Sequence, residues 1–412
     1  MANEKQLIRK LNSTTRLREI MDDYFVRLKQ AAESGHQKVA WCTSVGPEEL
    51  LYAMGFEVYC PENHAAMLGA AKMAEQYIPI AVANGYSPDI CSYLTSDIGA
   101  FLKQATPLKK YGLTTPPRPD VLVYNTNQCQ DVQHWFAFYA QHFNVPLVGI
   151  HTPLRVNELS PNTVAYIARE VQNLVPQLER ISGIRFDLDR FKATVKSSRE
   201  ACMLWRQVLE TAKHRPAPIN FFDATIHMGP VVVMRGTAHA VAYYKLLLQE
   251  LQERLRDQVG AIPQEKYRLY WEGMPLWFKL SSLANLLARL NACVVASTYC
   301  NSWVFDDLDP DDPFVSSALA YTKLFIARAD EVKEQVLTGL LRDYAVDGII
   351  YHEAKTCPRN SNNRYGIPRR LQQATGIPYV EIQGDLNDAR CFSEEQSIMA
   401  IETFIKQLEM SN

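Results

Sequence analysis

The chain has 412 residues, 47% of them hydrophobic and 21% charged, with a formal net charge of −2. That length suffices for two or three domains with large cores, and the near-neutral balance argues against nucleic acid as a partner, which requires a basic field. No apolar stretch approaches the roughly 20 residues that span a bilayer, so no membrane partner is expected. With no signal peptide apparent, the nine cysteines read as cytoplasmic thiols or metal ligands rather than a disulfide framework.

In chain order, the opening segment MANEKQLIRKLNSTTRLREIMDDYF reads as a charged amphipathic helix. Strand-like runs then alternate with helical patterns, the signature of parallel α/β layers. In the first half, strands are expected at KVAWCTS, FEVYCPE, DVLVYNT and PLVGIHT. Between them lie helices at PEELLYAM, over residues 65–84, at the segment opened by Cys91, and at DVQHWFAFYAQHF. A long helical stretch over 162–213, broken near Ser182-Gly183, links the halves, and the two prolines of TAKHRPAPIN mark the start of the second. There the helix VAYYKLLLQELQERLRDQ, the strand YRLYWEG, the helix WFKLSSLANLLARLN and the strand ACVVASTY follow in turn. A loop NSWVFDDLDPDDPF, helices over 316–344, the strand DGIIYHE, the helix NNRYGIPRRLQQATG and the strand IPYVEIQGD complete it. The expected fold is α/β: two doubly wound, Rossmann- or flavodoxin-like parallel-sheet domains behind an N-terminal helical segment, with the site in the cleft between them. The expected boundaries are 1–35 for the helical segment, 36–160 for the first domain, 161–215 for connecting helices and 216–412 for the second domain.

Three cysteines stand just past apolar runs or open a helix. Cys129 follows PDVLVYNTNQC, Cys357 follows DGIIYHEAKTC, and Cys91 opens the helix in GYSPDICSYLTSDIGAFLKQ. The first two positions are carboxyl ends of buried parallel strands, where α/β proteins bind ligands. No CxxC pair occurs, which argues against a zinc ribbon. Three thiolates from distant segments can hold an iron–sulfur cluster with one iron left open; three inert, packed thiols are the other reading. No GxGxxG and no GxxxxGK[ST] is present, so dinucleotide and P-loop nucleotide binding have no support.

The strings TSVGPEELLYAMG, YCPENHAA, GYSPDICSY and PDVLVYNTNQCQDVQHWF, in that order, resemble the 2-hydroxyacyl-CoA dehydratase and benzoyl-CoA reductase family. EKYRLYWEGMPLW, VDGIIYHEAKTC and GIPYVEIQGDLNDARCFS are similar to the same family, and the likeness spans about residues 15–405 of the larger catalytic subunit. The resemblance implies a [4Fe-4S] cluster with one open iron, held by the matching Cys91, Cys129 and Cys357. It implies an acyl-CoA thioester as substrate, a homologous smaller iron–sulfur subunit as partner, and a separate ATP-dependent iron–sulfur activator that delivers single electrons. The 3-proton of a 2-hydroxyacyl thioester is not acidic. One electron added to the thioester carbonyl gives a ketyl radical that expels the 2-hydroxyl and leaves a far more acidic 3-proton.

Two further positions match active-site features of the family. Ser44, at a strand end, would hydrogen-bond the substrate oxygen, or else caps the helix PEELLYAM. Glu62, in PENHAA, would transfer protons, or else is a first-turn glutamate favoured by a helix dipole. Asn63 and His151 are weaker candidates for substrate contact, and His64 reads as structural. Lys355 would tune the cluster by its charge. Arg359, Arg364, Arg369 and Arg370 would meet CoA phosphates or the activator, or form a solvated face. Trp271, Trp277 and Trp303 line an acyl pocket or belong to the core. Cys42, Cys60 and Cys300 also fall at strand ends and leave room for a larger cluster. The function expected is elimination of water from an (R)-2-hydroxyacyl-CoA. ATP-driven reduction of an aromatic acyl-CoA, an iron–sulfur electron carrier without its own substrate site, and a metal-free ligand-binding protein remain open.

Overall fold

The computed structural model describes residues 8–411. Eight strands form in the eight expected places: β1 (Val39–Cys42), β2 (Glu57–Tyr59), β3 (Val121–Asn125), β4 (Leu147–Ile150), β5 (Tyr267–Glu272), β6 (Ala292–Ser297), β7 (Gly348–Ala354) and β8 (Tyr379–Gly384). Central strands such as VLVYN and YRLYWE are buried along their whole length. Helices cover both faces of a parallel sheet, so continuous apolar runs rather than alternation mark its inner strands.

The strands form two four-stranded sheets, ordered β2-β1-β3-β4 and β6-β5-β7-β8, and every pairing is parallel. The second sheet repeats the order of the first. In each, the chain first steps outward one way and then crosses to the other side, so the strand order reverses between β1 and β3 and between β5 and β7. Crevices at such reversals, outside the carboxyl ends of the strands, are where doubly wound folds bind ligands. The loops there carry Ser44 and Cys129 in the first sheet, and Met274 and Cys357 in the second.

The connecting stretch forms the helices Pro161–Ser182 and Leu188–Glu210, separated at Gly183, whose left-handed backbone (φ +72°) ends the first. The second is capped by Asp187, whose side chain accepts from the amides of Asp189 and Arg190. Part of the expected N-terminal helix, residues 1–7, lies outside the described residues. The helix proper begins later than expected, at Thr14. The amides of Asn12 and Ser13 donate instead to the Glu250 carboxylate at 2.6 and 2.8 Å, which ties this entry to the second half.

The two halves are joined by more than the connecting helices. Val156 forms a parallel bridge with Arg328, whose guanidinium donates to the carbonyls of Val156 and Asn157. The Asn127 amide donates to the carbonyls of Val45 and Tyr321 at 3.1 and 2.8 Å, pinning the β1 loop against the second half.

Candidate active site

The loops at the two strand-order reversals face one another across a cavity of about 610 Å³. The first half contributes Ser44, Glu62, Asn63, Cys91, Gln128 and Cys129 to its wall. The second contributes Met274, Trp277, Tyr299, Trp303 and Cys357. The three cysteines far apart in sequence therefore share one chamber. Among the described residues, no three or more His, Cys, Asp or Glu side chains gather tightly enough to chelate a single metal ion. The thiols are nonetheless near enough to raise one another's pKa.

Local structure treats the three sulfurs alike. Cys91 is the N-cap of the helix Ser92–Leu102, and Cys129 is the N-cap of the helix Gln130–Phe143. Cys357 occupies the turn after β7. The backbone amide three residues on, from Leu94, Val132 and Asn360 respectively, lies beside each sulfur and lowers its pKa, although neither N-cap sulfur closes a cap hydrogen bond. Such amides, with the helix dipole behind two of them, favour negative charge on sulfur. Burial opposes it. Desolvation pushes the thiol of Cys129 up to about 12, helped by Cys357, and that of Cys357 to about 11. It raises Cys91 well above its ordinary value, helped by Cys129 and then Cys357. Three partly buried thiols, neutral on their own, suit a cationic centre that displaces their protons.

Residues beside two of these cysteines are hooked to one fully buried carboxylate, Asp385, at the end of β8. The amide and hydroxyl of Thr356 donate to Asp385 Oδ2 at 2.8 and 2.7 Å, and the Ser92 hydroxyl donates to Oδ1. The Ser92 amide donates to the Thr356 hydroxyl at 3.0 Å. Asn387, two residues on, donates to the Ala65 carbonyl and the Ser96 hydroxyl. Loop 385–388 of the second half thus grips the first half next to Cys91.

Ser44 and Glu62 meet directly. The Ser44 amide donates to both carboxylate oxygens of Glu62, at 3.1 and 3.2 Å. The Ser44 hydroxyl is buried in the cavity wall and faces the Glu62 carboxylate closely enough to lower its pKa, without closing a well-formed hydrogen bond to any partner. It caps no helix, because the helix Glu48–Ala53 starts after Pro47 and lacks a side-chain cap. Burial pushes the Glu62 carboxyl up to about 7, held back by the Ser44 amide, by its own amide, by the Ser44 side chain and by Gln128. An acid near neutrality, in contact with the loop that carries this hydroxyl, can give and take protons at physiological pH.

The Ser44 loop is held by Arg235, which is fully buried. Its guanidinium donates to the carbonyls of Ser44 and Gly46 at 3.0 and 2.7 Å and to the Tyr321 hydroxyl at 2.8 Å. It pairs with Glu48 and Glu49, each at 3.0 Å. Burial pushes Glu48 up to about 8, although Arg235 pulls the other way.

The remaining sequence candidates divide. Asn63 lines the cavity, its amide 3.8 Å from the Met67 sulfur. His151 does not. It lies half-exposed in a separate surface hollow with Thr152, Asn162 and Tyr166, beside Glu170 and the Tyr124 hydroxyl. The strand β4 sits at the sheet edge, one strand out from the reversal, which carries its end away from the chamber. Cys42, Cys60 and Cys300 are buried outside the cavity wall. His64 is buried between Asp97 (2.5 Å) and Thr106 (2.8 Å). Trp277 and Trp303 line the cavity, whereas Trp271 is core, stacked on Phe221. Of the arginines, Arg359 reaches the wall; Arg364 and Arg370 pair with Glu353 and Glu334.

Other wall residues escaped the sequence reading. The short helices Phe221–His227 and Gly229–Val233 supply Thr225, Ile226, Met228 and Val232. Tyr93, Trp277 and Tyr299 form a linked aromatic group beside the cysteines: Trp277 donates its indole N–H to Tyr93, whose hydroxyl also engages Tyr299. Gly229-Pro230, with the proline in the first turn where its missing N–H costs nothing, was the one signal of the second short helix.

Residues 43–408 match the family model described as 2-hydroxyglutaryl-CoA dehydratase, D-component. The chain is 31% identical over 389 residues to the alpha subunit of lactoyl-CoA dehydratase from Anaerotignum propionicum, covering 92% of each chain. It is 29% identical to the (R)-2-hydroxyisocaproyl-CoA dehydratase alpha subunit of Clostridioides difficile, covering 95% of each. It is 28% identical to a benzoyl-CoA reductase subunit of Thauera aromatica, over 97% of this chain and 95% of the relative. The family match takes in seven of the eight strands and all three cysteines of the chamber, and the chain belongs to the 2-hydroxyglutaryl-CoA dehydratase D-component family of enzymes.

Proposed function

We propose that this chain is the larger, cluster-bearing subunit of an (R)-2-hydroxyacyl-CoA dehydratase, with Cys91, Cys129 and Cys357 holding a [4Fe-4S] cluster. The observation that carries this reading is the juxtaposition of three thiols with a serine hydroxyl that closes no well-formed hydrogen bond and a near-neutral glutamic acid in one chamber. The donor set fits the group: three sulfurs, each with a backbone N–H beside it, and no fourth cysteine on the wall. When bound, such a cluster supplies a single low-potential electron and one open, Lewis-acidic iron.

The chain's own residues supply the rest. The Ser44 hydroxyl donates to the substrate's thioester oxygen and holds it in register, while Arg235 fixes the loop that aims it. Glu62, its carboxyl pushed up to about 7 by burial, gives its proton to the departing hydroxyl or takes one from the 3-carbon. The apolar wall excludes water, which protects a radical from quenching and strengthens each polar contact. A homologous smaller subunit and an ATP-dependent activator complete the system under this reading; relatives named alpha subunits support the former. Reduction of an aromatic acyl-CoA is the second reading, supported by the near-equal identity to the benzoyl-CoA reductase subunit.

The test is anaerobic purification of wild type and Cys129→Ser with iron and sulfide analysis, then assay with activator and ATP. About four irons per chain, lost in the variant, with 2-hydroxyacyl-CoA converted to enoyl-CoA, is the expected result. An iron-free, folded wild-type protein sinks the reading. Turnover of benzoyl-CoA with no dehydration selects the reductase.

A further inference from the structure

The cavity wall has a charge distribution that the proposed chemistry does not use. Among the described wall residues the cations are Arg18, Lys110 and Arg359. Arg18 and Lys110 are exposed, and Arg359, partly covered, belongs to the loop of Cys357. The wall carboxylates are Asp22, Glu62 and Asp131. We propose that the acyl group this chamber selects is apolar and bulky, a branched alkyl or aryl group with no second carboxylate; this rests on the acyl-CoA reading and deepens it.

The wall next to Ser44 and Glu62 sets the acyl environment. Val45 follows Ser44 directly. The helix bearing Met228 and Val232 packs at the start of the Glu62 helix, where the Cys60 sulfur lies 4.0 Å from the Val232 carbonyl. Trp303 reaches the same place from the second half. Its ring packs on Phe305, Phe305 lies under the Arg235 guanidinium, and Arg235 holds the Ser44 carbonyl. Leu324 closes this side. All five wall residues are buried and uncharged. A distal carboxylate placed among them would lose its water, find no cation and face Glu62. A two- or three-carbon acyl group would leave the wall unfilled, giving up roughly fourfold in affinity for each missing methylene. The exposed Arg18 and Lys110 are placed instead to meet phosphates at the rim, where the nucleotide end of a thioester must emerge.

The experiment measures binding without turnover. Acetyl-CoA, glutaryl-CoA, isocaproyl-CoA and 3-phenylpropionyl-CoA all lack the 2-hydroxyl and are unreactive here. Calorimetry follows the titration of each into the anaerobically purified full chain with its co-purifying subunit. Isocaproyl- and 3-phenylpropionyl-CoA are expected to bind at least tenfold more tightly than the other two. Glutaryl-CoA binding as well as 3-phenylpropionyl-CoA overturns the inference while leaving the acyl-CoA reading standing. Failure of every thioester to bind removes that reading itself. Gly229→Leu adds a second measure: a Cβ there meets only the Met21 sulfur, at 3.6 Å, so the side chain grows into the cavity. It should weaken 3-phenylpropionyl-CoA at least tenfold and spare acetyl-CoA; an equal loss for both would place the acyl group elsewhere.

Discussion

Thr356 and Asp385 form a two-pronged contact, amide and hydroxyl both donating to one carboxylate oxygen at 2.8 and 2.7 Å. Thr356 precedes Cys357, and the same carboxylate takes the hydroxyl of Ser92, which follows Cys91. With the amides of Asn387 and Asp388, Asp385 accepts five hydrogen bonds while fully buried. Two cysteine-bearing loops from opposite halves are therefore set by one side chain. Asp385→Ala strands several buried donors at roughly 1–3 kcal/mol each, so it should lower stability and free the loops. Hydrogen exchange should rise at both 91–95 and 354–358 in the variant, and iron retention should fall. Unchanged exchange at either segment would show that the loops do not depend on the clamp.

Glu62 has the burial and the contact to exchange protons near neutrality. Glu62→Gln keeps the size and one acceptor for the Ser44 amide but cannot titrate. Turnover should drop by about 10²- to 10⁴-fold, the usual contribution of a positioned acid–base group, with substrate affinity nearly unchanged. The wild-type pH–rate profile should bend near pH 7 and the residual activity of the variant should not. A variant that retains the bend would move the proton transfer to another group.

All eight strands were legible because their apolar runs are continuous and bounded by polar loops, and the helix break at Gly183 because glycine takes the left-handed turn there. Cys91 opening a helix was legible in the same way. What stayed hidden depends on long-range placement. Ser92 and Asp385 are 293 residues apart, and nothing local marks their contact. Arg235 reads as an ordinary exposed arginine after a helical run until its carbonyl partners in the Ser44 loop are known. The short helices over 221–233 lack the length for a period to show. His151 lies apart from the chamber because a strand end faces the crevice only near the strand-order reversal, and β4 is at the edge.

Glu48 makes stability depend on pH. Its carboxyl titrates at about 8 in the folded chain, against an ordinary value of 4.5, chiefly through burial. The folded state therefore holds this proton after the unfolded state has lost it, and stability falls as pH rises from 4.5 to 8. Glu62, Asp223 and Glu272, each pushed to about 7 by burial, act with the same sign over a narrower window. The melting temperature should thus be lower at pH 8 than at pH 6. Glu48→Gln should reduce that difference by removing the share Glu48 contributes across the whole span from pH 6 to 8. A variant with the same pH slope as wild type would mean that Arg235 keeps Glu48 ionised.

Cys42, Cys60 and Cys300 are buried away from the cavity wall, with burial the first cause of the raised pKa of each. Cys42→Ala, Cys60→Ala and Cys300→Ala should each retain the wild-type iron content and cluster spectrum, at a stability cost of about 1–2 kcal/mol for the small cavity. Loss of iron in any one of them would bring that cysteine into the ligand set and revive a larger cluster.

Arg235 joins a buried ion network to the position of Ser44, so its removal should act at both levels. Arg235→Met leaves Glu48 and Glu49 buried beside one another with no cation and frees the carbonyls of Ser44 and Gly46. Breaking one partner of such a pair costs about 3–5 kcal/mol. Because Glu48 already carries a proton near neutrality, the loss should be smaller at pH 6 than at pH 8, where Glu48 would stand charged and unpaired. Ser44→Ala separates the two levels: it removes the hydroxyl while leaving every contact of Arg235, all of which are to backbone carbonyls or other side chains. It should lower kcat by about 10²-fold, as loss of one preorganised donor does, with little change in melting temperature. If Arg235→Met lowers stability but leaves kcat of the folded fraction intact, the arginine serves the fold alone and the Ser44 loop holds its place without it.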